Sequence, residues 1–352
     1  MKRLFFAAGG LILMVGIGSP RTAPLRAAEP EQSDQPLNII FDTDIGNDID
    51  DALALGVIHA LQSRGECRLL AVTISKDNAY CAPFVDLVNT FYGRGEIPIG
   101  VVHNGKTPKD GKFTRGVVEA TDDGHPRYPR SLTPQSEVPE AVALLRRVLS
   151  EAPDDSVAMV VVGFSTNIAR LLDSKPDAIS PLDGVELVKR KCPLLSIMAG
   201  MFTEEGRHKE YNVFIDLESA RRVYERWPTE IVASGYEIGL AIQYPATSIL
   251  QDYNYVPHHP LSEAYALYMK MPYDRATWDL TSVLYAVRPK RDYFGLSQPG
   301  TITVDDEAIT HFAASAEGRH RYLTVTPQQI AQVREALVQL SSQPPSVKTP
   351  TK

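Results

Sequence analysis

The chain has little that could cross-link it, bind a polyanion or span a bilayer. Its 352 residues include three cysteines, Cys67, Cys81 and Cys192, too few for a disulfide scaffold and not spaced as a zinc site. Basic charge is in deficit: 36 Lys and Arg stand against 43 Asp and Glu, a formal charge of −7 with His neutral. Neutralising phosphates needs a basic surface excess, so nucleic-acid polymers are excluded as partners. The one long apolar run, Leu4 to Gly18, falls short of the roughly 20 residues a membrane span requires. No stable membrane insertion is therefore expected, and no internal repeat is present.

What remains is a globular mixture. Hydrophobic residues make up 43% and charged residues 22%, enough for a real core in one large domain or two small ones. Lys2 and Arg3 before the apolar run, with Ser19 and Pro20 after it, read as a secretory signal. The expected organisation is an export signal over 1–28, a polar disordered leader over 29–36, a folded domain over 37–340 and a disordered tail over 341–352. The location would be periplasmic or extracellular. Ala23 and Ala28 each have Arg two positions earlier, so the usual small-residue pattern defines no cleavage point. Cutting after Ala28 would remove four basic residues and no acid, taking the charge to −11.

From Leu37 onward, short β-branched runs alternate with helical patterns. Strands are expected at 37–41, 68–74, 99–102, 157–162, 194–198 and 230–233, and helices at 51–62, 83–92, 139–150, 167–172 and 218–226. Such alternation implies βαβ units and a mainly parallel sheet with helices on both faces. The run VAMVVV at 157–162 is apolar without alternation, as a central parallel strand should be. After Asp279 the pattern changes to late strands at 302–304 and 321–325 and a final amphipathic helix at 327–340.

The densest chemistry follows the first strand. Asp42, Asp44, Asp48, Asp50 and Asp51 lie within ten residues, and like charges so close force protonation unless a cation intervenes. Oxygen ligands suit a hard cation, and open α/β sheets bind ligands at the carboxyl ends of their strands. Helix capping explains one or two of these Asp residues but not Asp42 and Asp44, which precede the helix. An EF-hand beginning at Asp42 would need Gly where Asn47 stands and Glu where Leu53 stands. A dehalogenase-type phosphatase would want Thr or Val at Gly46, and is kept as a weaker competitor.

Four blocks in order resemble the calcium-dependent inosine-uridine type nucleoside hydrolases: DTDIGNDIDDALAL at 42–55, VGFSTNIA at 162–169, Met198-Ala199-Gly200 followed by Glu210-Tyr211-Asn212, and Trp278-Asp279. The first block carries two extra residues between Gly46 and the Asp50-Asp51 pair. The resemblance runs from about Leu37 to Pro289 and implies a single large α/β domain, nucleoside hydrolase-like and Rossmann-related. It implies that Asp44, Asp51 and Asp279 bind Ca2+ through carboxylates and Val162 through its carbonyl. It further implies that Asp50 and Asn78 reach the ribose, that Glu210 and Asn212 hold the far side of the sugar, and that Asp42 supports the loop. Activity would be release of ribose and free base from a nucleoside by a calcium-bound water, with Asp44 accepting its proton. The resemblance also allows a homodimer or homotetramer.

The pattern departs from the family at one telling place. Where the protozoan enzymes have a His that protonates the leaving base, this chain has Trp278, which is no acid at neutral pH. Three readings stay open: Trp278 stacks on a purine, His125 supplies the proton from another loop, or the leaving group needs none. The stretch from Met198 to Glu210 is short, with Arg207 or His208 near the place of an expected ribose contact. Basic residues Lys106, Lys109, Lys112 and Arg115 would suit a ligand with a negative group, although a solvated surface is the simpler reading of them. Tyr236 and Glu237 are candidate base contacts. The competing functional class is a calcium- and sugar-binding protein that has lost leaving-group activation.

Overall fold

Alternate residues of the first strand face opposite sides of a sheet, and here both sides are buried. Ile39 and Phe41 join one apolar cluster and Ile40 the other, which is why this strand carries no polar alternation. The computed structural model describes Met1 and residues 35–346. The expected export signal, nearly all of the leader and the end of the tail lie outside the described residues.

The main strands are β1 (Leu37–Thr43), β2 (Cys67–Lys76), β3 (Ile99–Lys106), β4 (Val157–Val161), β5 (Leu194–Met198), β6 (Glu230–Ser234), β7 (Gly300–Val304), β8 (Thr310–Ala314) and β9 (His320–Thr324). Their order across the sheet is β8-β7-β9-β6-β5-β4-β1-β2-β3. From β9 to β3 every neighbouring pair is parallel, while β7 runs antiparallel to both β8 and β9. The two-residue strand Gly295–Leu296 pairs antiparallel with β9.

The chain lays β2 and β3 on one side of β1, then returns to lay β4, β5 and β6 on the other. That reversal opens a crevice beyond the carboxyl ends of β1 and β4, the place where doubly wound sheets bind ligands. Helix Asp50–Ser63 leaves β1 and packs against helices Trp278–Val287 and Pro327–Ser341 on one face. On the other face, helices Ala141–Glu151, Thr166–Asp173 and Leu217–Arg226 cover the sheet.

The structure adds elements that the pattern did not announce. Thr310–Ala314 is a strand at the sheet edge with only its first residue buried, so its sequence carries no buried alternation. Helices Tyr211–Ile215, Tyr236–Ala241 and Ala246–Gln251 are five or six residues long, less than two turns and too short for a 3.6-residue period to show. Helix Gly184–Lys191 did carry a signal, the cap Asp183 accepting from the Glu186 N–H. Among the described residues no helix is long and apolar enough to cross a membrane.

Candidate active site

Each candidate side chain is placed by a strand end or a helix start. Beyond β1 the chain turns at Gly46, whose φ of 108° an L side chain adopts only with strain. Asp44 sits before that turn. Asp50 and Asp51 fill the first turn of helix Asp50–Ser63, and Asp279 the first turn of helix Trp278–Val287, where helix dipoles favour carboxylates. The Asp279 N–H donates to Asp50 Oδ2 at 3.1 Å, tying the two helix starts together.

One oxygen each of Asp50, Asp51 and Asp279 lies within 4.8 Å of the others. These residues and Asp44 line a cavity of about 390 Å³ together with Val162, Glu210, Asn212, Tyr236 and Trp278. The four aspartates are at most 4% exposed. Burial, reinforced by the charge of neighbouring aspartates, pushes Asp50, Asp51 and Asp279 well above the usual carboxylate range. Asp44 rises to about 6, burial outweighing the hydrogen bond it accepts from Asn47 Nδ2 at 2.7 Å. Thr43 Oγ1 donates to Asp51.

A buried cluster of this kind fits a hard divalent ion. All the donors are oxygens, the nearby guanidinium of Arg275 is already paired with Asp48, and ionised together the carboxylates would repel one another strongly. Asp50, expected to reach the ribose, lies in this cluster. Val162 lines the cavity, and its carbonyl accepts from Asn212 Nδ2 at 2.8 Å, which leaves a second lone pair.

Glu210 caps helix Tyr211–Ile215. Its carboxylate accepts the N–H groups of Gly200, Asn212 and Val213 at 2.9–3.1 Å, yet burial still raises it to about 7. Asp42 lies beneath the loop rather than in the cavity. It accepts from Thr73 Oγ1 at 2.6 Å and Asn167 Nδ2 at 2.8 Å, has its other oxygen unpartnered, and is raised by burial to about 7.

Other expected residues are placed elsewhere. His125 is exposed on the hairpin formed by Thr121–Asp122 and His125–Pro126 and does not line the cavity. Asn78 lines a separate groove, its amide spent on Pro108 O and Asp110 Oδ1 at 3.0 Å. Arg207 pairs with Glu204, and His208 meets the Tyr236 ring edge-on at 4.5 Å. Glu237 accepts the Phe202 N–H at 3.2 Å, away from the lining. In the basic loop, Arg115 is taken by Asp110 and Glu119, while Lys112 lies over the Tyr268 ring.

Trp278 lines the cavity, but much of its ring is committed. Its Nε1 donates to Tyr236 O at 2.8 Å, the Tyr236 ring stacks on it at 5.4 Å, and the Arg275 guanidinium lies 5.1 Å from its centroid. The site also holds residues that sequence reasoning missed. Asn47 joins Asp44 to Lys76, whose buried Nζ donates to Asn47 Oδ1 at 2.9 Å and Thr107 O at 2.6 Å. Asp48 binds Arg275, and Tyr268 and Tyr211 complete the wall. The available signal was the two-residue excess in the first acidic block, since the lengthened turn supplies Asn47 and Asp48.

Gly163 has no room for a side chain: a Cβ there would lie 2.3 Å from the Asp44 N and 2.5 Å from Ser75 Oγ. Gly163→Ala is expected to destabilise the fold by about 1–3 kcal/mol and to weaken metal binding through displaced Asp44. Thermal unfolding and titration with divalent cations check both effects; a variant that binds and melts as wild type would refute this close approach.

The profile described as inosine-uridine preferring nucleoside hydrolase matches residues 39–344. A pyrimidine-specific ribonucleoside hydrolase, RihA, of Enterobacter sp. (strain 638) is 32% identical over 209 residues, covering 57% of this chain and 60% of that protein. The match thus spans less than two thirds of the curated relative. Among solved structures, a plant nucleoside hydrolase superposes with a TM-score of 0.65 at 17% identity, covering 88% of this chain and all of that one. A purine-preferring ribonucleoside hydrolase from Gardnerella vaginalis gives 0.64 at 17% identity, covering 87% and 99%. At such identities the structures speak for the fold.

Proposed function

The chain belongs to the inosine-uridine preferring nucleoside hydrolase family, and from that premise we propose that it hydrolyses the N-glycosidic bond of a ribonucleoside or similar riboside, releasing ribose and free base. The observation that carries this reading is the convergence of Asp44, Asp50, Asp51 and Asp279 on one cavity of about 390 Å³ that Glu210 and Asn212 also line. A cavity of that size suits a nucleoside.

We propose Ca2+ as the ion, held by Asp51 and Asp279 with Asp44, Asp50 and the Val162 carbonyl beside them. Calcium there would supply positive charge that acidifies the attacking water and orders the sugar hydroxyls. Asp44, on the cavity wall beside the ion, accepts the water's proton. Asp50 and Glu210 present acceptors to the sugar. The buried carboxylates stabilise the cationic character that develops at the anomeric carbon as the base departs. Direct attack inverts that centre, with no covalent intermediate. Export, read from the charged and then apolar start of the chain, remains part of the proposal.

A second reading has one observation in its favour: among the described residues no His lines the cavity, so leaving-group activation of the usual kind is missing. The protein would then bind calcium and sugar without turnover. A reducing-sugar assay over purine, pyrimidine and nicotinamide ribosides separates the two. Turnover that chelator abolishes and calcium restores is expected; tight calcium binding with no turnover on any riboside selects the binding protein.

A further inference from the structure

The lengthened turn after β1 and the loop before helix Trp278–Val287 meet in an arrangement that the reaction described above does not use. Arg275 is the one basic side chain among the residues lining the cavity, against six carboxylates. Asp48 grips its guanidinium through Nε at 2.9 Å and through Nη2, and Tyr268 Oη lies 3.1 Å from Nη2. The same group lies 5.2 Å from the Tyr268 ring centroid and 5.1 Å from that of Trp278. The ion pair with Asp48 and the rings of Tyr268 and Trp278 beside it restrain the side chain. Nη1 makes no hydrogen bond within 3.5 Å of a described residue and remains as a donor.

We propose that Arg275 is the catalytic residue that takes up the negative charge of the departing base, with Asp48 as the residue that positions it. This inference rests on the hydrolase reading above. In the step, the water oxygen bonds to the anomeric carbon while the bond to the base nitrogen breaks. The electron pair stays on the base, spread into its ring carbonyl. The water's proton goes to Asp44, and the base takes a proton from solvent after it leaves, so no acid has to sit where Trp278 stands. A preorganised donor aimed at developing charge lowers the barrier without a proton transfer. The six carboxylates disfavour a ligand that is anionic from the start, so the Arg275 charge acts chiefly on negative charge that appears only during bond breaking.

The test compares two ribosides on the calcium-loaded full-length protein: the fastest nucleoside of the panel, whose base is a poor leaving group, and 4-nitrophenyl riboside, whose nitrophenolate leaves unaided. Arg275→Gln is expected to lower kcat about a hundredfold on the nucleoside, with KM little changed, and to leave the nitrophenyl substrate within about threefold. Asp48→Asn should move the ratio of the two rates in the same direction by about tenfold, as a positioning residue would. If Arg275→Gln does not fold by thermal melting, Arg275→Lys and Asp48→Asn carry the same ratio test. Equal slowing of both substrates, or of neither, overturns the assignment while leaving the hydrolase reading intact. A wild-type protein silent on both substrates overturns the two together.

Discussion

In the Asp51→Asn protein, calcium binding and riboside turnover are expected to vanish together, with kcat falling by about a thousandfold or more. The change keeps the side chain's shape but removes a charge from the centre of the cluster, where Asp51 is 1% exposed and lies against Asp50 and Asp279. It also places an amide donor or a neutral carbonyl where the ion needs a charged oxygen. The fold should survive. Without calcium the variant should even be slightly more stable than wild type, because one of the mutually repelling buried carboxylates is gone. Calorimetric calcium titration, sugar release and thermal melting of the chelated protein read the three effects. Activity that persists with Asn at 51 would mean the ion, if any, is held elsewhere.

Stripped of metal, the protein should lose stability as pH rises. Burial raises Asp42 from 3.8 to about 7 and Glu210 from 4.5 to about 7, and pushes Asp50, Asp51 and Asp279 upward as well. Between the unfolded and folded values these carboxylates bind more protons in the native state than in the unfolded chain, so their part of the slope of unfolding free energy against pH is negative, offset in part up to about pH 6.5 by His59, His259 and His320, which burial lowers. For Asp42 and Glu210 that stabilisation is whole below about pH 4 and is lost as pH rises through about 7. Each displaced pKa unit corresponds to about 1.4 kcal/mol, so the effect is large. Calcium should flatten the decline by compensating the ionised cluster, adding about 4 kcal/mol when present at a thousand times its Kd. Melting curves from pH 4 to 8, with chelator and with calcium, measure this. A chelated protein equally stable at pH 5 and pH 7 would show that these carboxylates are not held out of water.

Much of this was legible along the chain because burial leaves a local trace. β1 reads as LNIIFDT and β4 as VAMVV, runs that only a strand covered on both faces requires. The five aspartates between residues 42 and 51 pointed to an acidic site because their crowding is visible in the spacing alone, and four of them, Asp44, Asp48, Asp50 and Asp51, line the cavity. Elements of five or six residues, such as helix Tyr211–Ile215, left no such trace. That helix depends on Glu210, whose carboxylate accepts the N–H groups of Asn212 and Val213, and Glu210 had been read only as a sugar contact. His125 and Asn78 show what residue type alone leaves open: each has suitable chemistry, and the fold carries one onto an exposed hairpin and the other into a different groove.

The sequence by itself therefore determined the alternating α/β architecture and the acidic turn after the first strand. These follow from hydrophobic period and charge density, which are local. Only the tertiary structure decided that Glu210 caps a helix start at the cavity wall, and that Asp48 and Arg275 meet across 227 residues beside Trp278. Those meetings depend on strand order. The reversal between β1 and β4 brings the ends of distant segments to one crevice, and no periodicity along a chain encodes which strand ends will be neighbours.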